Sequence, residues 1–345
     1  MAKSEDGLKK LKDDLTAKAP GRLYLFWGEE DYLRTFYTGR IRNMLLPAGL
    51  EEFNDKRFSG KTDPSDIREA IDALPVFSER TVVEVQDFDV YKCAADLRDQ
   101  MEELLSDLPD YCCLILSFTD PDFKPDARTK IHATIKENGA VVEFKKQGQS
   151  DLVNWVRRRF GALDKEISLN DAEYLIFHCG SLMTGLISEI EKIGAYAKDK
   201  KITRADIDAV GTPVLDAVVF RLTDALAQQD NDRAARLLSD LLAMREHPIM
   251  LLAAIGRQCR QILTARLALD SGQGSGDIQK LWSMRSAYPA RLIMDAAKRR
   301  SRGWCVNAVR LCAEYDYKMK STGIDGEALI RELFVRLASG ETNVA

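Results

Sequence analysis

The sequence predicts an α/β domain followed by an all-α remainder. Three observations carry that reading. In the first ~148 residues, short continuous apolar runs alternate with segments of helical periodicity, the pattern of a parallel sheet covered on both faces. After Ser150 strand signals nearly vanish. The length, 345 residues, suggests two or three domains at roughly 100–200 residues each.

The elements follow in order. Leu23–Trp27 (LYLFW) reads as a buried strand ending at Gly28. Asp31 to Leu46 places Leu33, Tyr37, Ile41 and Met44/Leu45 at helical spacing, and Pro47 stops the helix. Asn54–Ser59 is a weak strand. Asp63-Pro64 opens a helix through Ile67, Ile71 and Leu74. Thr81–Val85 and Cys112–Phe118 are buried strands, with a helix over Ala94–Leu108 between them. A helix over Ala127–Asn138 and a last strand, Ala140–Phe144, complete the α/β part.

Helices over Asp151–Phe160, from Ser168 through Cys179, over Leu182–Lys198 and over Arg204–Val210 follow, and Gly211-Thr212-Pro213 punctuates the chain. Beyond it, Leu215–Gln228, Asp232–Met244, Pro248–Leu269, Asp277–Trp282, Pro289–Arg300, Val306–Lys320 and Gly326–Ala338 all fit amphipathic helices. The expected domains are therefore 1–148, 149–212 and 213–345.

Composition excludes several classes. Apolar residues make up 45% and charged residues 30%, which argues against disorder. Fifty Lys+Arg against 54 Asp+Glu give a net charge of −4, so bulk charge does not bind this chain to nucleic acid. Charge is unevenly spread: residues 213–345 carry 19 basic and 15 acidic side chains, and the rest is acidic. The seven cysteines form no CxxC pair and read as reduced, mostly buried thiols of a cytosolic protein. The three histidines, far apart, give no zinc spacing. No run approaches the ~18–20 apolar residues of a membrane span, and the charged N-terminus lacks the apolar core of a signal peptide.

Catalytic patterns are missing. A phosphate loop, GxxxxGK[ST], would follow the first strand. There the chain reads Gly28-Glu29-Glu30-Asp31-Tyr32-Leu33-Arg34-Thr35, with Leu33 at the second glycine and Arg34 at the lysine. A phosphate cradle needs glycines whose N–H groups close round the anion, and three carboxylates would repel it. Glu29–Asp31 also suit a helix N-terminus, where the dipole favours acids. Asp87 and Asp89, after the strand TVVEV, could be a metal-binding pair or two loop carboxylates. There is no GxSxG, HExxH or GxGxxG.

Two other features invite function. In Ala73-Leu74-Pro75-Val76-Phe77-Ser78-Glu79-Arg80, Pro75 interrupts the helix and two adjacent apolar side chains follow. They are either an exposed plug for a partner's pocket or ordinary packing under the loop. In the C-terminal part, Arg257 and Arg260 stand one turn apart, and Lys298, Arg299, Arg300 and Arg302 close a helix. Such groups could touch phosphates or simply complement a helix C-terminus on a solvated face.

Four segments in order resemble the delta subunits of the bacterial replicative clamp loader: the opening strand with GEEDYLR, ALPVFSERTVVEV, HPIMLLAAIGRQCRQILTARLAL and EYDYKMKSTGIDGEALIRELFVRL. The stretch Asp316–Lys320–Gly323 is the most characteristic. The resemblance implies an AAA+-like chain. It would have a RecA-type domain without a working phosphate loop (degenerate at Gly28, Leu33 and Arg34), a helical lid and a helical collar that oligomerises. It implies a subunit of the DNA polymerase III holoenzyme that is not itself an enzyme and holds no cofactor. Such a subunit binds the sliding clamp (beta) and opens the ring for loading onto primed DNA.

The implied clamp-contact residues are Phe77, Val76 and Leu74; many relatives carry leucine where Val76 stands. The implied DNA-facing candidates are Arg257, Arg260, Lys298, Arg299 and Arg302. The other implied partners are the ATPase subunits (tau/gamma), delta-prime and primer-template DNA, in the bacterial cytoplasm at the replication fork. The competing expectations are a divergent AAA+ ATPase and a purely structural collar subunit.

Overall fold

In the computed structural model, which describes residues 2–60, 62–284 and 286–340, the chain forms two compact units. One runs to Gln147 and includes Leu182–Thr184; the other holds Gly148–Ser181 and everything from Gly185.

The first unit contains α1 (Ala2–Thr16), β1 (Leu23–Trp27), α2 (Asp31–Leu45), α3 (Glu51–Asn54), β2 (Asp55–Ser59), α4 (Pro64–Asp72), β3 (Thr81–Gln86), α5 (Ala95–Ser106), β4 (Cys112–Ser117), α6 (Lys130–Asn138) and β5 (Ala140–Glu143). All five strands are parallel, in the order β2-β3-β4-β1-β5. This is the helix-covered parallel sheet that the alternation of apolar runs and helical segments predicts. The register pairs Leu23 with Leu114 and Thr81 with Cys112.

Alternate side chains of β1, β3 and β4 enter two separate cores. Leu23, Leu25, Val83, Val85, Leu114 and Leu116 pack with Ile67 and Ile71 of α4, Met101 and Leu105 of α5, and Ile131 and Ile135 of α6. Tyr24, Phe26, Val82, Cys113, Ile115 and Val142 pack on the opposite face with Ile41 of α2 and Leu11 and Leu15 of α1. Both faces are covered there, which is why β1, β3 and β4 read as unbroken apolar runs, while the edge strand β2 (DKRFS) does not.

Three local differences from the sequence reading have physical causes. The sequence pattern marks no element before Leu23, yet α1 lies along β5. Its apolar stripe, Leu8, Leu11 and Leu15, is set among lysines and aspartates, and Leu11 and Leu15 are buried. α4 ends at Asp72, before Leu74, and Tyr111 Oη donates to the Asp72 carbonyl at 3.1 Å. α6 starts at Lys130, because the Asp126 carboxylate accepts the Arg128 N–H and holds that segment as a turn.

Among its described residues, the second unit is helical apart from one two-residue ladder. It comprises α7 (Gln149–Ala162), β6 (Glu166–Ile167), α8 (Leu169–Cys179), α9 (Met183–Tyr196), β7 (Lys201–Ile202), α10 (Arg204–Val210), α11 (Leu215–Gln228), α12 (Asn231–Ala243), α13 (Pro248–Asp270), α14 (Ser275–Leu281), α15 (Ala287–Lys298), α16 (Arg302–Ser321) and α17 (Gly326–Ser339). α9 begins with Met183, within the stretch that folds with the first unit.

α13 is the axis of this unit's core: Leu251, Leu252, Ile255, Cys259 and Ile262 are buried among α11, α15, α16 and α17. Start signals are met by side-chain caps, among them Ser168, Asp230, Ser301 and Asp325, each accepting a first-turn N–H. Ser301 starts α16 four residues before the Val306 that periodicity suggested.

All seven cysteines are free; five are buried, and Cys93 and Cys179 are half-buried. Among the described residues no helix is long and apolar enough to cross a membrane.

Candidate functional site

The loop after β1 is shaped by the protein's own needs. Gly28 has φ +118°, and a Cβ there would come within 2.5 Å of the Phe144 carbonyl oxygen, so glycine is required for close approach of the chain after β5. The next turn is tied to the same place, with the Glu30 N–H donating to Phe144 O at 2.9 Å. Glu30 is fully buried, and its carboxylate accepts the Met183 N–H at 3.3 Å. Burial pushes its carboxyl above the ordinary range, while the Met183 N–H pulls the other way.

Arg34, at the position of a phosphate-loop lysine, is buried and directed inward. It donates to the Phe118 carbonyl and to the Asp31 carboxylate. The adjoining cleft, about 550 Å³, is lined by Arg42, Arg57 and Glu84 among others. Arg42 pairs with Asp55 and Glu84, and Arg57 with Asp55, so the cationic groups there already have anionic partners. Leu33 packs on the α1/α2 core.

Asp87 and Asp89 are loop carboxylates. Asp87 accepts the Thr119 N–H and hydroxyl at 2.7 and 2.6 Å, and Asp89 accepts the Tyr91 N–H at 3.0 Å. Among the described residues no cluster of three metal-ligating side chains occurs.

The segment after α4 is different in kind. Leu74 is 73% exposed, Val76 38% and Phe77 88%. Phe77 also has φ +52°, a left-handed backbone that costs a bulky residue about 1–3 kcal/mol. Such a conformer persists only when its surroundings fix it. On one side Asn54, buried at the end of α3, grips Val76. Its Oδ1 accepts the Val76 N–H at 2.8 Å, and its Nδ2 donates to the Val76 carbonyl at 2.9 Å. On the other side Arg80 donates to the carbonyls of Pro20, Gly21 and Cys112 at 2.5, 3.2 and 3.1 Å. Three apolar side chains are thus held out to solvent on a loop braced at both flanks. Neither Asn54 nor Arg80 carries a local sequence signal; the residues they hold lie 22 to 60 positions away.

The basic candidates of the second unit have mixed surroundings. Arg257 pairs with Asp216 at the start of α11. Lys298 pairs with Asp295 at 2.8 Å and Arg299 with Asp224 at 2.9 Å. Arg300 is directed inward, donating to the Leu226 carbonyl and stacking over Trp304 at 4.6 Å. Arg260 and Arg302 are exposed and make no ion pair among the described residues. Arg257 and Arg299 reach carboxylates eight residues apart on α11, roughly 12 Å along its axis. The two groups therefore occupy different parts of the bundle.

Residues 24–145 match the family model described as DNA polymerase III, delta subunit, and residues 216–337 match the model for the C-terminal domain of that subunit. The chain is 25% identical over 321 residues to DNA polymerase III subunit delta of Bacillus subtilis, covering 91% of each. It is 24% identical over 137 residues, 39% of each, to a probable DNA polymerase III subunit delta of Aquifex aeolicus. The solved Bacillus subtilis DNA clamp loader delta protein superposes with a TM-score of 0.56 at 22% identity, over 96% of this chain and 99% of that one. With both family models and the near-full-length relative in agreement, the chain belongs to the DNA polymerase III delta subunit family.

Proposed function

We propose that this chain binds the ring-shaped sliding clamp through Phe77, with Val76 and Leu74 beside it, and opens the ring for loading onto primed DNA without hydrolysing nucleotide. The observation that carries the reading is Phe77 itself. An aromatic ring 88% exposed on a strained, braced loop is costly to a chain that keeps it for no partner. It has the anatomy of an interface anchor: a large apolar side chain, presented in advance, ready to fill a pocket.

The mechanism is differential binding. A subunit that prefers the distorted or open ring shifts the ring's equilibrium by as much as its affinities for the two states differ. No bond need break on this chain. The inward-turned Arg34, the buried Glu30 and the acids of the 29–31 segment support a domain that does not handle ATP. That task falls to the sister subunits (tau/gamma), with delta-prime completing the assembly. We assign residues 149–212 to a lid and 213–345 to a collar through which the subunits join, and place the work at the replication fork in the bacterial cytoplasm. Arg260 and Arg302, with Arg257, Lys298 and Arg299 beside their carboxylates, are the proposed contacts to DNA phosphates, independent of sequence.

The test is binding of the purified chain to the sliding clamp of the same organism, by surface plasmon resonance without nucleotide. Saturable binding is expected. If the chain binds no clamp but binds Mg-ATP tightly, the divergent ATPase replaces this reading. If it binds neither yet joins the other subunits, its role is that of a structural collar.

A further inference from the structure

We propose that Asn54 is a positioning residue for the clamp-contact loop: its buried carboxamide locks the backbone of Val76 and thereby holds Phe77 in its presented, left-handed conformation. This rests on the clamp-binding reading above.

The geometry is that of a strand neighbour replaced by a side chain. Oδ1 accepts the Val76 N–H at 2.8 Å while Nδ2 donates to the Val76 carbonyl at 2.9 Å, so both main-chain groups of one residue are held by one amide. The second hydrogen of Nδ2 goes to the Leu50 carbonyl at 3.1 Å, which ties the amide to the helix that carries it. Asn54 is 0% exposed, so no water competes for these bonds. Among the described residues, no other hydrogen bond reaches the backbone between Leu74 and Glu79. Phe77 is the very next residue, at φ +52°, a conformation that the chain would leave if released.

Chemistry makes the position selective. Only a primary amide offers an acceptor and a donor side by side at this length. Aspartate keeps the acceptor for the Val76 N–H but sets an anionic oxygen against the carbonyls of Val76 and Leu50. Alanine leaves both Val76 groups to water, and the fraction of molecules presenting Phe77 falls. The apparent affinity falls by that same fraction.

The experiment has two arms. In the first, residue-resolved amide exchange on the wild-type chain without clamp should show Val76 protected and Phe77 and Ser78 exchanging freely. Equal exchange at Val76 and Phe77 would overturn the lock, and no variant is needed to see it.

In the second arm, clamp-binding kinetics are compared for wild type, Asn54→Ala, Asn54→Asp, Phe77→Ala and the double variant Asn54→Ala/Phe77→Ala, each checked for an unchanged circular dichroism spectrum. Asn54→Ala should weaken binding roughly ten- to thirty-fold, chiefly by slower association. Asn54→Asp should do no better, and the double variant should lose little beyond Phe77→Ala alone. A folded Asn54→Ala that binds within twofold of wild type would overturn the proposal while leaving the clamp reading intact. If Phe77→Ala itself binds like wild type, the clamp reading fails first, and the positioning role with it.

Discussion

Under the proposed clamp contact, replacing Phe77 by alanine should separate binding from folding. The ring is 88% exposed, so the folded protein gains almost nothing from it. Exposed substitutions of this kind stay within roughly 0.5 kcal/mol of wild type. In a complex the balance reverses. An aromatic side chain carries roughly 150–250 Å² of surface, and burying a phenylalanine completely is worth roughly 1.5–3 kcal/mol. At about 1.4 kcal/mol per decade, Phe77→Ala should weaken clamp binding roughly 10- to 150-fold.

Surface plasmon resonance against immobilised clamp, without nucleotide, reads that change, and urea unfolding reads stability beside it. Phe77→Gly is the control. Glycine adopts φ +52° without strain, so this variant should unfold later than Phe77→Ala and still bind no better. A folded Phe77→Ala with affinity within twofold of wild type would refute the reasoning.

Three further outcomes are expected. Isothermal titration of the chain with Mg-ATP should show no saturable binding into the millimolar range, because Arg34 is committed to Phe118 O and Asp31; tight binding would restore the ATPase reading. Glu30→Gln should stabilise the chain at pH 7. The folded-state pKa of Glu30 is raised, chiefly by burial, so its contribution to stability is present below the ordinary carboxylate pKa and lost as pH rises through the folded value. Glutamine keeps the Met183 N–H acceptor without the charge, so the gain in urea midpoint should shrink on going to pH 4; a gain equal at both pH values would show that the buried charge is not its cause. Arg299→Glu/Arg302→Glu should weaken DNA association of the assembled loader and reduce the slope of log K against log salt by about 1 for each phosphate no longer neutralised, and an unchanged slope would remove these residues from the DNA path.

What the sequence made legible was the part governed by local periodicity. LYLFW, TVVEV and CCLILS are unbroken apolar runs because the sheet is covered on both faces, and each became a parallel strand. α10 and α11 begin and end where their patterns do. α1 escaped notice because only Leu8, Leu11 and Leu15 mark it within a highly charged segment, and their meaning depends on β5, more than a hundred residues later.

The candidate site divided along the same line. Two adjacent apolar residues after a helix could be plug or core, and only the fold decides that Phe77 faces water. Asn54 was invisible, since an asparagine 22 residues from its target has no spacing to betray it. The same holds for the basic groups: the aspartates that meet Arg257 and Arg299 lie 41 and 75 residues away. A run of charge in sequence could not show how much of it is already paired.

The central claim is that this chain opens the ring. The direct measurement closes a sliding clamp on nicked circular DNA, adds the purified chain without any nucleotide or sister subunit, and follows the clamp remaining on the DNA by gel filtration. The account predicts release that saturates with chain concentration and is lost with Phe77→Ala. A clamp that stays on the circle at saturating, demonstrably bound chain would contradict it.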